Sequence, residues 1–135
     1  MTVEGWVAPL VALQFVAFGW RINREIPLGD QGRRTWFPIP DYVNIGALLI
    51  VVGMCIVLPI GTGSFGPFSR TALAAGYTLA GLHPLNVAAH YRLFSREGRY
   101  KYTKAKRDYP YVTDQEIVTL VLSAILTLAA GLYVH

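Results

Sequence analysis

Three polar side chains interrupt an uncharged stretch of the sequence: His83, Asn86 and His90 lie between Arg70 and Arg92. An ionisable side chain inside an apolar stretch is costly to keep there and marks a candidate functional site. Histidine titrates near neutral pH, so the trio could line a proton or ion pathway. A plainer arrangement has His83 and Asn86 bonding across to Thr119, Ser123 or Thr127, with His90 at the headgroup level. His83 and His90 together cannot hold one metal ion, because residues seven apart on a helix are separated by about 10 Å along its axis. No metal site is therefore expected. A haem with two histidine ligands needs them on two helices. The only other histidine is His135, so haem could be held only across a subunit interface, and no cofactor is predicted.

Other motifs carry less chemistry. Residues 61–66 read Gly-Thr-Gly-Ser-Phe-Gly, which formally matches G-x-G-x-x-G. The dinucleotide fingerprint needs a strand before it and a helix after it, and here an apolar helical run precedes it. With Pro67 the glycines make a tight turn. The single cysteine, Cys55, excludes an internal disulfide and any cysteine-rich metal site. There is no H-E-x-x-H motif, and a Ser-His-Asp set would have to borrow its acid from a loop. No catalytic set is complete. Seven basic residues, Arg92, Arg96, Arg99, Lys101, Lys104, Lys106 and Arg107, follow the histidines, interleaved with tyrosines. Such interleaving can bind single-stranded nucleic acid. Next to a membrane it suits anionic lipid headgroups or a docking partner better, and nucleic acid is not expected.

The elements that must position these residues follow from where the charges fall. Hydrophobic residues make up 53% of the 135 and charged residues 15%, against about 25% charged in soluble domains. Mean hydropathy is +0.39. All but Glu4 and Arg70 of the 20 charged side chains fall in two clusters, from Arg21 to Asp41 and from Arg92 to Glu116. A soluble fold needs charge on the exposed face of nearly every element, so this distribution excludes one. The pattern predicts an all-α integral membrane protein, a single domain of four antiparallel transmembrane helices. They run over about 5–22, 42–60, 71–94 and 114–134, with basic loops at 21–41 and 92–113. The first is short for a span, which needs about 20 apolar residues; Trp6 and Trp20 bracket it as interfacial anchors. Pro59 is read as the end of the second. Thr113 and Glu116 form a capping box that opens the fourth.

Helices in lipid associate through small residues and interhelical hydrogen bonds. Thr119, Ser123, Thr127 and Gly131 recur every four residues, as do Ala72, Gly76 and Ala80. At 100° per residue, His83 and His90 fall within about 20° of Ala72. Segments three and four are thus expected to pair through these stripes, with the histidines facing protein. The functional expectation is a small polytopic protein of a cytoplasmic or inner membrane, surrounded by lipid. It would act by assembly, as a homo-oligomer or an accessory subunit of a larger membrane complex. An oligomeric pore lined by His83, Asn86 and His90 is the alternative, and an intramembrane enzyme a third possibility. The two basic loops belong in the cytoplasm by the positive-inside rule, which leaves both termini outside. Reporter fusions at His135 and within residues 95–106 test this: the first is expected to read exterior and the second cytoplasmic. A cytoplasmic C-terminus would contradict the four-span topology.

Overall fold

The computed structural model describes residues 2–32, 37–95 and 112–134. Among them the chain is all-helical, with no strand. A 3-10 turn, Val3–Trp6, leads into α1 (Val7–Asp30). Helix α2 starts at Ile39–Val52 and continues through a π-helical stretch, Gly53–Val57, and a last turn, Leu58–Thr62. Then come α3 (Pro67–His90) and α4 (Asp114–Val134). Three of these, taken over Val3–Asp30, Ile39–Thr62 and Asp114–Val134, are long and apolar enough to cross a membrane.

The ends follow local rules. Prolines sit in the first turns of α2 and α3, where no N–H is needed. Gly63, at φ 70°, closes α2 in the left-handed conformation that glycine adopts freely. Helix α3 ends in a Schellman-type turn: Leu93 N–H reaches the Ala88 carbonyl and Arg92 N–H that of Ala89. The residue at the left-handed position there is Arg92, at φ 52°. Its guanidinium pairs with Asp114 Oδ1 at 3.0 Å, tying the end of α3 to the start of α4. At that start Thr113 Oγ1 accepts from Glu116 N–H at 3.0 Å and Glu116 Oε2 from Thr113 N–H at 3.3 Å, the reciprocal bonds of a capping box.

Several boundaries differ from the sequence pattern, among them those of α3, which covers Pro67–His90 instead of 71–94 because Pro67 opens it and the turn at Arg92 closes it. Helix α1 does not stop near residue 22 but runs to Asp30, and α2 begins at Ile39, so much of the expected loop 21–41 is helical. The buried face of α1 (Val7, Leu10, Gln14, Arg21, Glu25) keeps its helical spacing straight through the charged residues. Nor does Pro59 end α2. In the π register Leu58 N–H reaches the Gly53 carbonyl, so the Met54 carbonyl is due an N–H from Pro59, which has none. Ser69 on α3 fills the gap, donating from Oγ to Met54 O at 2.6 Å, while Cys55 Sγ donates to Ser69 O.

Helix α3 is the centre of the bundle and packs against each of the other three. It buries nine residues, whereas α4 buries only Glu116, Ser123 and Gly131. Close approach is made possible by glycine. A Cβ on Gly76 would lie 2.6 Å from Val51 Cγ2 and 2.8 Å from Leu10 Cδ2, and one on Gly131 would lie 3.3 Å from Thr71 Cγ2. Leu10, Val51 and Gly76 therefore form one apolar layer across α1, α2 and α3, extended by Cys55, Ala72 and Leu73. Replacing Ser69 with Ala is expected to destabilise the protein by about 1–3 kcal/mol, because the Met54 carbonyl is left unpaired in the core. Thermal unfolding in detergent measures this. A neutral outcome would mean that the π turn satisfies itself.

Candidate functional site

The polar residues gather at one end of the bundle. Asp41 lies in the first turn of α2, and its carboxylate is shared. Oδ2 lies 2.6 Å from Arg21 Nε of α1, and Oδ1 lies 3.3 Å from His83 Nε2 of α3. Arg21 also faces Glu25 one turn on, Nη2 to Oε1 at 3.5 Å, and donates from Nη1 to the Tyr91 hydroxyl at 3.1 Å. Arg24 donates to the same hydroxyl and lays its guanidinium 4.9 Å from the Tyr91 ring centre. Arg21 is 1% exposed and Asp41 2%. Such charges can be taken out of water only as a paired, hydrogen-bonded set.

A second cluster joins α3 to α4. His90 Nδ1 lies 2.8 Å from Glu116 Oε2. Thr113 Oγ1, which caps α4, donates to the Ala89 carbonyl at 2.8 Å. Two turns further into α4, Asn86 Nδ2 donates to Ser123 Oγ at 2.9 Å, and the same hydroxyl lies 3.1 Å from Asn86 Oδ1. The His90 and Tyr91 rings meet edge to face, 5.0 Å between centroids, and so connect the two clusters.

The three polar residues picked out in α3 thus go to different places. His83 faces α2, while Asn86 and His90 face α4. None is near the middle of its helix: His83 stands seven residues from the end of α3 and His90 is its last residue. Of the small-residue stripes, Ala72, Gly76 and Ala80 are buried, Gly76 against α1 and α2. On α4, Ser123 and Gly131 are buried against α3 and Thr119 and Thr127 partly so. Of the seven basic residues, Arg92 pairs with Asp114, and the other six lie outside the described residues.

Sequence reasoning placed Arg21 and Asp41 in a loop, gave Tyr91 no role of its own and saw Glu116 only as a cap. It passed over Gln14 and Asn44, which are 0% and 4% exposed. Both side-chain polar atoms of Gln14, and Asn44 Oδ1, lack a protein partner. The spacing Leu10, Gln14, Arg21, Glu25 would have revealed the α1 set, had Trp20 not been taken as the helix end.

Chemically the site offers one hydrogen-bonded histidine–carboxylate pair, His90–Glu116, and a second histidine, His83, 3.3 Å from Asp41 Oδ1, which itself accepts no hydrogen bond among the described residues. Cys55, a possible nucleophile, is engaged at the other half of the bundle. Among the described residues no three His, Cys, Asp or Glu side chains are grouped to hold a metal ion. No protein-family model, curated protein or solved structure matches the chain. Its class is therefore given by the fold: among the described residues it is all-helical, with three helices long and apolar enough to cross a membrane.

Removing one partner from the Arg21–Asp41 pair should cost far more than removing both. Asp41→Leu is expected to lose about 3–5 kcal/mol, whereas Arg21→Met with Asp41→Leu should recover most of that loss. Chemical unfolding of the solubilised protein provides the comparison. Additive losses would show that the two side chains act independently.

Proposed function

We propose that the chain crosses the membrane four times, with both termini outside, and acts by assembly, as a homo-oligomer or as an accessory subunit of a larger membrane complex. One observation carries this reading. His83, Asn86 and His90 each face another helix of the same chain, and the span-length helices turn large apolar side chains outward. On helix α4 these include Val118, Val121, Leu122, Ile125, Leu128 and Leu132. With α3 shielded by its neighbours, four crossings become compatible with its low hydropathy, because polar residues are tolerated where they face the bundle interior.

A second reading, a proton or ion pathway, is favoured by Gln14 and Asn44. Their unpartnered amide atoms sit between the apolar Leu10–Val51 layer and the Arg21–Asp41–His83 layer, where water could bridge them. The pathway would then run through one chain rather than between copies.

The two readings part in liposomes. Under the assembly reading, crosslinking and mass measurement in mild detergent give a defined oligomer or co-purifying subunits, and reconstituted protein shows no ion flux above protein-free vesicles. A monomer with no companion would overturn it. Flux that disappears in both His83→Gln and His83→Leu would establish the pathway instead.

A further inference from the structure

At the charged end, α1 and α3 border a groove of about 590 Å³ open to the surroundings. Its walls are mostly apolar, with Val16 and Ala17 on one side and Pro84, Val87 and Ala88 on the other, and His83 also lines it. Small side chains on both helices keep it open. Its upper edge is different, since Trp20, Arg24 and Tyr91 stand there together. Trp20 is 62% exposed, a ring with an apolar body and one N–H, suited to the membrane–water boundary.

Arg24 differs from its neighbour Arg21. Arg21 is buried and neutralised by Asp41 and Glu25. Arg24 is exposed and has no carboxylate partner among the described residues. Tyr91 fixes it twice, through the hydroxyl and through the ring face. A guanidinium has five N–H donors and matches phosphate oxygens in bidentate fashion. The groove therefore combines one fixed, uncompensated cation at the headgroup level with an apolar trough running down from it. The ligand with complementary chemistry has an anionic head and a hydrocarbon tail.

We propose that this groove binds an anionic phospholipid, its phosphate held by Arg24 beside Tyr91 and Trp20 and an acyl chain laid between Val16, Ala17, Val87 and Ala88. The site belongs to a single chain and does not depend on assembly. The volume lies within the range of about 300–1,000 Å³ usual for ligand clefts. A groove holding part of one lipid on a fixed cation retains it longer than the bulk annulus does.

Native mass spectrometry of the full chain in neutral detergent tests the proposal, with phosphatidylglycerol, phosphatidylcholine or inorganic phosphate added in turn. Phosphatidylglycerol is expected to give a retained adduct that phosphatidylcholine gives at least fivefold more weakly and phosphate does not give. Arg24→Gln should lower its occupancy about fivefold, the contribution of one basic residue at a lipid surface, and Arg24→Lys should keep part of it. Ala88→Leu, which narrows the trough and leaves the cation in place, should also lower it. All the variants keep the basic segment after Arg92, so binding there cancels in the comparison. Equal retention of both lipids by the wild type would overturn the proposal, as would wild-type occupancy in both Arg24→Gln and Ala88→Leu. Displacement of the adduct by inorganic phosphate would overturn it too, reducing the site to an anion site without a tail.

Discussion

One carboxylate sets the geometry of the bundle. Asp41 stands in the first turn of α2, where an acidic side chain also meets the positive end of the helix dipole. From there it reaches Arg21 of α1 with one oxygen and His83 of α3 with the other. Three helices are thereby held at one level. A buried charge that loses its partner costs several kcal/mol, and that penalty determines the register. From that level the rise per residue puts Leu10 and Val51 about 15 Å or more along their helices and Gly76 about 10 Å along α3, where the three meet.

The second consequence concerns α3. In a membrane the outer helices must be apolar and the enclosed one need not be. Helix α3 is the least apolar of the four and buries the most residues, while the three helices apolar enough to span expose most of theirs. Its polar residues also divide the work of holding it: His83 toward α2, Asn86 and His90 toward α4, Tyr91 toward α1. The far end relies on small residues and on Ser69, whose hydroxyl completes the backbone of α2. The bundle thus has a polar, geometrically specific end and an apolar, closely packed one.

The sequence made the helical class and the limits of α4 legible, because uncharged runs and a capping box are local signals. It also marked His83, Asn86 and His90, since a polar residue in an apolar run stands out. Their partners were hidden for a physical reason. Arg21 and Asp41 lie at helix ends, where charge is ordinary, and nothing local distinguishes a solvated arginine from one buried against an aspartate 20 residues away. Glu116 had one local role to fill, the cap, and that role concealed a second one toward His90. Gln14 was passed over because a single amide in a run of Val, Ala, Leu and Phe hardly alters its hydropathy. Pro59 misled in the opposite direction: a proline usually ends a helix, but here a π turn and a serine from another helix absorb it.

The division of labour between Arg21 and Arg24 shows how three residues of spacing separate structure from surface. Three residues turn a helix by about 300°, so the two side chains point roughly 60° apart. That angle places Arg21 inside the bundle, against Asp41, and Arg24 at its edge. Tyr91 touches both, and its hydroxyl is the one group that accepts from each guanidinium. The phenol therefore couples the buried pair to the surface cation. The interior charge layer and the exposed cation are in this sense one network, and the inner part is the more constrained because water cannot replace a partner lost there.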